Sequence, residues 1–150
     1  MPFIHGALAF RSIIVNYSGS CKCKRWSIQV SLTEALSNLN PRVCDCDYCQ
    51  SHPSALISNP RMEIQLLGDS ANLVVNTNGD QLASFYLCGS CSELLAVGCA
   101  INGELRGAAN ALLLEQKDSL GNPMPIQPRL LSSAEKLSRW GRLWGTLKGV

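Results

Sequence analysis

Seven of the eight cysteines in this 150-residue chain fall in short groups whose spacing suits metal ligation. Cys44, Cys46 and Cys49 form C-x-C-x-x-C within "VCDCDYCQ", Cys21 and Cys23 form C-x-C, and Cys88 and Cys91 form C-x-x-C. Neighbours at these spacings are poorly placed to bridge each other as structural disulfides. Clustered cysteines in a chain without an export-signal pattern read instead as metal ligands in a reducing, cytoplasmic compartment. Two pairs, C-x-C and C-x-x-C, complete a tetrahedron of four thiolates, the closed form of structural zinc, with iron as the second choice of ion. Cys44, Cys46 and Cys49 supply only three ligands, and three protein ligands with an open position is the arrangement of a catalytic zinc. His52, three residues beyond Cys49, is the alternative that would close this site. Cys99, alone in "LLAVGCAI", reads as an inert buried thiol.

Around these groups stand residues that could act on a substrate. Asp45 and Asp47 are interleaved with the middle cysteines and could accept a proton; solvated loop carboxylates are the alternative. Arg25 and Arg42 flank the cysteine groups and could hold a substrate carboxylate, or be ordinary surface charge.

The elements that must position these side chains are mostly strands. "WSIQVSL" and "MEIQLL" alternate apolar and polar residues with the period of half-buried strands. The C-x-C is expected to extend the first of them, its sulfurs on the face opposite the apolar row. Asn78-Gly79 and Asn102-Gly103 each predict a two-residue hairpin turn, the second after a strand apolar enough to be buried. "MPFIHGALAFRSIIVNY" reads as a first strand and "NALLLE" as one that closes the sheet. Residues 120–131, with Pro123, Pro125 and Pro128, predict an extended linker. Ser132 and Glu135 then make a capping box, opening a basic helix that carries Leu137, Trp140, Trp144 and Leu147 on one face. That face is expected to pack on the sheet, a dimer contact or membrane surface being the alternatives. The chain thus divides into a zinc-binding β domain, 1–131, and an amphipathic helix, 132–150, packed on the same domain.

Composition excludes several classes. At 46% hydrophobic and 16% charged, the chain suits one domain with a real core and not a metallothionein-like coil. A net charge of +2 argues against nucleic acid, and loading seven thiolates with two zinc ions would remove even that excess. No apolar run is long enough to span a membrane.

"GSCKC", "CDCDYC" and "LCGSC", in that order and approximate separation over residues 18–115, resemble the glutathione-dependent formaldehyde-activating enzymes, a family related to centromere protein V. The resemblance implies a mainly β, β-tent-like fold of small antiparallel sheets. It implies a structural zinc at Cys21, Cys23, Cys88 and Cys91 and a reactive zinc at Cys44, Cys46 and Cys49. It also implies a carbon–sulfur lyase that joins formaldehyde and glutathione as S-(hydroxymethyl)glutathione. Lys24 and Ser92 stand where the family commonly has glycine, Asp45 where it has His, and Gln50-Ser51 where it has a basic pair. Three functions follow: a zinc-dependent lyase on thiol–aldehyde adducts, a zinc-binding module without turnover, or a thiol redox or metal-buffer protein. A homodimer is compatible with each.

Overall fold

The computed structural model describes residues 13–150, so most of the segment predicted as a first strand, residues 1–12, lies outside the described residues. The fold is mainly β with a C-terminal helix, as the sequence predicts. Strands β1 (Val15–Ser20) and β2 (Ser27–Leu32) form an antiparallel hairpin, and β5 (Glu63–Leu67) pairs with the far edge of β2. A second meander runs through β6 (Leu73–Thr77), β7 (Ser84–Cys88), β8 (Leu94–Ile101) and β9 (Glu104–Asn110).

The two parts meet at β9. One edge pairs with β8 along its length; the other is divided between β11 (Gly145–Lys148) at Arg106 and Gly107 and β4 (Leu56–Ile57) at Ala109 and Asn110. Beyond β4 lie β3 (Arg42–Cys44) and β10 (Met124–Ile126). Most pairs are antiparallel, but β10 with β3 and β11 with β5 are parallel.

Alternation places the core as the pattern predicts. Ile28, Val30 and Leu32 of β2 and Ile64 and Leu66 of β5 pack with Trp26 and Met62 in one cluster. A second cluster, with Leu94, Val97 and Trp144, lies beneath helix α2 (Ser133–Leu143). Residues Leu94 to Cys99 of β8 are all buried, since the strand is covered on both faces. Asn110 is fully buried and satisfied: Nδ2 donates to Leu94 O at 2.8 Å, and Oδ1 accepts from the Ala55 and Leu112 amides, both at 3.2 Å.

Four expectations are corrected. The turn at Asn102-Gly103 forms as predicted, both residues at positive φ between Ile101 and Glu104. The Asn78-Gly79 hairpin instead closes at Thr77 and Ser84 with a longer loop. Asp80 in that loop is drawn to Lys136 at 2.9 Å and Ser133 at 3.2 Å, contacts a two-residue turn could not reach. "NALLLE" makes a 3-10 turn, Ala111–Leu113, capped by Asn110, with a single bridge from Gly19 to Leu114. The proline-rich linker contains β10, with Pro125 on an edge strand where its missing N–H costs nothing. Finally, the helix stops at Leu143 and residues 145–148 turn back as β11 between β5 and β9.

That reversal has a physical cause. The Arg106 guanidinium donates to the carbonyls of Trp144 and Gly145, the latter at 3.2 Å, fixing the chain as it leaves the helix. Gly145 then passes so close to Met62 that a Cβ would lie 2.3 Å from the Met62 carbonyl oxygen. Backbone on both sides of this contact leaves no flexible atom to yield, so Gly145→Ala should destabilise the fold by about 1–3 kcal/mol in urea unfolding.

Candidate metal centres and the adjoining cleft

The sulfurs of Cys21, Cys23, Cys88 and Cys91 all lie within 4.8 Å of one another. Cys21 to Cys23 and Cys23 to Cys88 are each 3.5 Å apart. Four sulfurs at about 2.3 Å from a common zinc would be separated by roughly 3.8 Å, so the spacing fits one ion. The C-x-C sits in the turn between β1 and β2 and not on a strand, because pairing ends at Ser20 and Ser27. There the Cys21 amide donates to Trp26 O at 3.1 Å and the Lys24 amide to Cys21 O at 2.9 Å. Cys21 is consequently 1% exposed and packed with the core, contrary to the expectation that both sulfurs face away from it.

Cys88 ends β7 and begins the opposing turn, in which the Ser92 amide donates to Cys88 O at 2.9 Å. Backbone N–H groups converge on the sulfurs, from Trp26 to Cys21 at 3.4 Å and from Ser90 to Cys88 at 3.4 Å. Burial, reinforced by the neighbouring thiols, pushes the Cys21 thiol up to about 12. Burial also opposes ionisation of Cys88, but the amides of Cys91 and Ser90 and the Cys23 thiol outweigh it and bring Cys88 down to about 6. Thiols that compete for protons in this way are a site short of positive charge, which a divalent cation would supply.

Cys44, Cys46 and Cys49 form the second group, also within 4.8 Å. Cys44 ends β3, Cys46 caps the short helix α1 (Asp47–Ser51), and Cys49 is its central residue. The Cys49 amide donates to Cys46 Sγ at 3.3 Å and the Cys46 amide to Cys44 Sγ at 3.5 Å. A hydrogen bond from the Cys49 thiol, with help from the Cys46 amide, brings Cys44 down to about 6 against burial. The Cys44 thiol and burial push Cys49 up. The donor set therefore fits a soft cation, and both clusters can hold a metal ion.

Among the described residues, no histidine, carboxylate or further cysteine joins this trio. His52 caps the C-terminus of α1 with Nδ1 3.0 Å from Tyr48 O and its ring stacked on Tyr48 at 4.4 Å. Cys99 is buried in the second core cluster, as its apolar strand predicts. Asp45 is held by Arg129, which keeps its carboxyl below the usual range, with a 3.1 Å ion pair and a further hydrogen bond from Gln127 at 3.0 Å. Asp47 is exposed at the first position of α1, and Arg25 is exposed in the turn of the four-thiol site.

The three-thiol site opens on a cleft with a cavity volume of about 140 Å³. Leu56, Phe85, Val97, Trp140, Leu143 and Trp144 give it apolar walls. Arg42, Arg129, Lys136 and Arg139 give it cations, and Asp80 is the one lining carboxylate among the described residues. Asp45, Asp47 and Arg25 are not part of that lining, whereas Arg42 is. Sequence reading noted the basic residues and tryptophans of α2 but not their address. Lys136, Arg139 and Trp140 reach the cysteines only because β11 returns the chain into the sheet and holds α2 across β8.

A family model for the glutathione-dependent formaldehyde-activating enzyme matches residues 16–124. The chain belongs to this family. No curated protein matches the sequence. The fold is similar to that of a Rhodobacter sphaeroides protein in a crystal structure, at 22% identity and a TM-score of 0.50, covering 71% of this chain and 97% of that one. Residues Pro125 onward, including α2 and β11, lie beyond the family match.

The family's glycine positions explain two backbone outliers. Lys24 and Ser92 adopt φ of 64° and 62°, so the turns keep a glycine conformation without glycine. Relieving one of these strains, Ser92→Gly should stabilise the protein by about 1 kcal/mol in chemical denaturation. Cys23→Ser should lose the ion of the four-thiol site and unfold the protein. Cys46→Ser should lose one metal equivalent by elemental analysis while retaining the folded circular-dichroism spectrum. Equal unfolding by both would refute the division into a structural and an open site.

Proposed function

We propose that the protein is a zinc-dependent carbon–sulfur lyase that forms or cleaves thiol–aldehyde adducts of the S-(hydroxymethyl)glutathione type. Residues 1–131 and the tail 132–150 act as one unit in a reducing, cytoplasmic setting. The observation that carries this reading is the contrast between the clusters: four thiols that can complete a tetrahedron among themselves, and three, with no fourth donor among the described residues, that line a cleft. Zinc held by Cys44, Cys46 and Cys49 would favour the thiolate form of a substrate thiol near neutral pH and polarise an aldehyde oxygen.

In the forward direction the thiol gives up its proton and its sulfur bonds to the aldehyde carbon. The carbonyl π pair moves to oxygen, which takes a proton and leaves a hydroxymethyl thioether. The reverse direction breaks the same carbon–sulfur bond. The chain's contribution is placement. The apolar walls exclude water from one side of the adduct, and Arg42 faces the cleft as a partner for a substrate carboxylate. The Asp45–Arg129 pair ties the segment after β10 to the loop between Cys44 and Cys46. Asp45, so engaged, is a weakened base and serves as a positioning residue.

Exchange between formaldehyde and glutathione, followed by NMR with the metal-loaded protein, tests the reading. The protein should accelerate exchange over the metal-free control, and Cys46→Ser should remove roughly 10–100-fold or more of that rate. No acceleration by the loaded wild type would refute the lyase and leave a zinc-binding module without turnover, or a thiol redox or metal-buffer protein.

A further inference from the structure

The charges of the cleft are not equivalent. Arg129 is engaged by Asp45 at 3.1 Å and Lys136 by Asp80 at 2.9 Å. Among the described residues, Arg42 and Arg139 have no carboxylate partner in an ion pair. Arg42 donates to the Ser58 hydroxyl, a neutral group, and lines the same cleft as Arg139. Two cations brought to one partly buried cleft repel each other, and an anion between them would relieve both.

Beside these cations the lining is strongly apolar. Trp140 and Trp144 stack at 4.6 Å with an interplanar angle of 9°, and Phe85, Val97 and Leu143 continue the surface. A one-carbon hydroxymethyl group cannot cover such a wall. An apolar surface of this extent next to a cation pair matches a ligand with an aromatic or branched aliphatic body and an anionic end.

We propose that the cleft selects amphiphilic adducts: a carboxylate on Arg42 and Arg139, an aromatic or bulky aliphatic body against Trp140 and its neighbours, and the sulfur toward Cys44, Cys46 and Cys49. Arg139 and Trp140 are its specificity-determining residues. Both come from α2, outside the part of the chain the family model matches. The placement of the sulfur rests on the lyase reading; the carboxylate and body subsites do not.

Three thioethers, whose sulfur carries no proton and which cannot react, separate these contributions in calorimetric titrations of the metal-loaded full chain. 3-(Benzylthio)propionate carries both groups, 3-(methylthio)propionate lacks the aromatic body, and 3-(benzylthio)propanol lacks the charge. The first should bind about tenfold or more tightly than either of the others, the scale of one charge-assisted hydrogen bond or one buried ring. Arg139→Gln should erase its advantage over the alcohol, and Trp140→Leu its advantage over the methyl analogue. Arg142→Gln, at an exposed position outside the cleft, should bind as wild type, and circular dichroism of each variant should show the folded spectrum. Equal affinity for all three ligands, or an undiminished charge preference in folded Arg139→Gln, would overturn the proposal. The expected binding pattern in a protein that fails to exchange formaldehyde would uphold it and refute the lyase reading alone.

Discussion

Four sulfurs within 4.8 Å can all be thiolates only with a cation among them, and the ends of two separate hairpins depend on that requirement. The β1–β2 turn contributes Cys21 and Cys23, and the end of β7 contributes Cys88 and Cys91. Cys21 and Cys88 are buried together with Trp26, so the cluster is continuous with the main core. The same geometry demands left-handed backbone at Lys24 and Ser92. Two residues poorly suited to that conformation tolerate it because the turns are fixed by amide-to-sulfur hydrogen bonds and by the gathering of the ligands.

The trio of Cys44, Cys46 and Cys49 is built differently. It stands on a short strand, a helix cap and one helical turn, none of which carries much of the core. Its position is secured from behind by Asn110, whose buried amide ties β9 and β8 to the segment that follows α1. In front, the Asp45–Arg129 pair and the loop carrying Asn78, whose amide lies 3.9 Å from Cys46 Sγ, frame the sulfurs. A site supported in this manner can present a coordination position to a cleft without weakening the fold that carries it.

The C-terminal segment joins these two halves. Entry of β11 between β5 and β9 connects the β1–β2–β5 sheet to the meander, and it sets α2 against β8 with Trp144 in the second core cluster. Packing and cleft formation are thus one event. Trp144 faces the core and the cleft together, and the turn from helix to strand is held by Arg106, which belongs to neither metal site.

Local chemistry was legible in the sequence. The cysteine spacings, the alternating strands, the Asn102-Gly103 turn and the capping box at Ser132 and Glu135 each depend on residues a few positions apart. The backbone alone can satisfy them, and each short cysteine motif, C-x-C, C-x-x-C or C-x-C-x-x-C, is local in the same sense. What sequence could not locate were features that need distant segments to meet. Among these are the parallel pairing of β10 with β3, the lengthened loop around Asp80, the burial of Cys21, and the return of residues 145–148 into the sheet. The cleft is the clearest case. Lys136, Arg139 and Trp140 read as the polar and apolar faces of an ordinary terminal helix, and no local rule says what they face. Only the tertiary structure decides that, because long-range strand pairing and burial fix where a helix docks, and docking places its cations and tryptophans beside three cysteines far away in the chain.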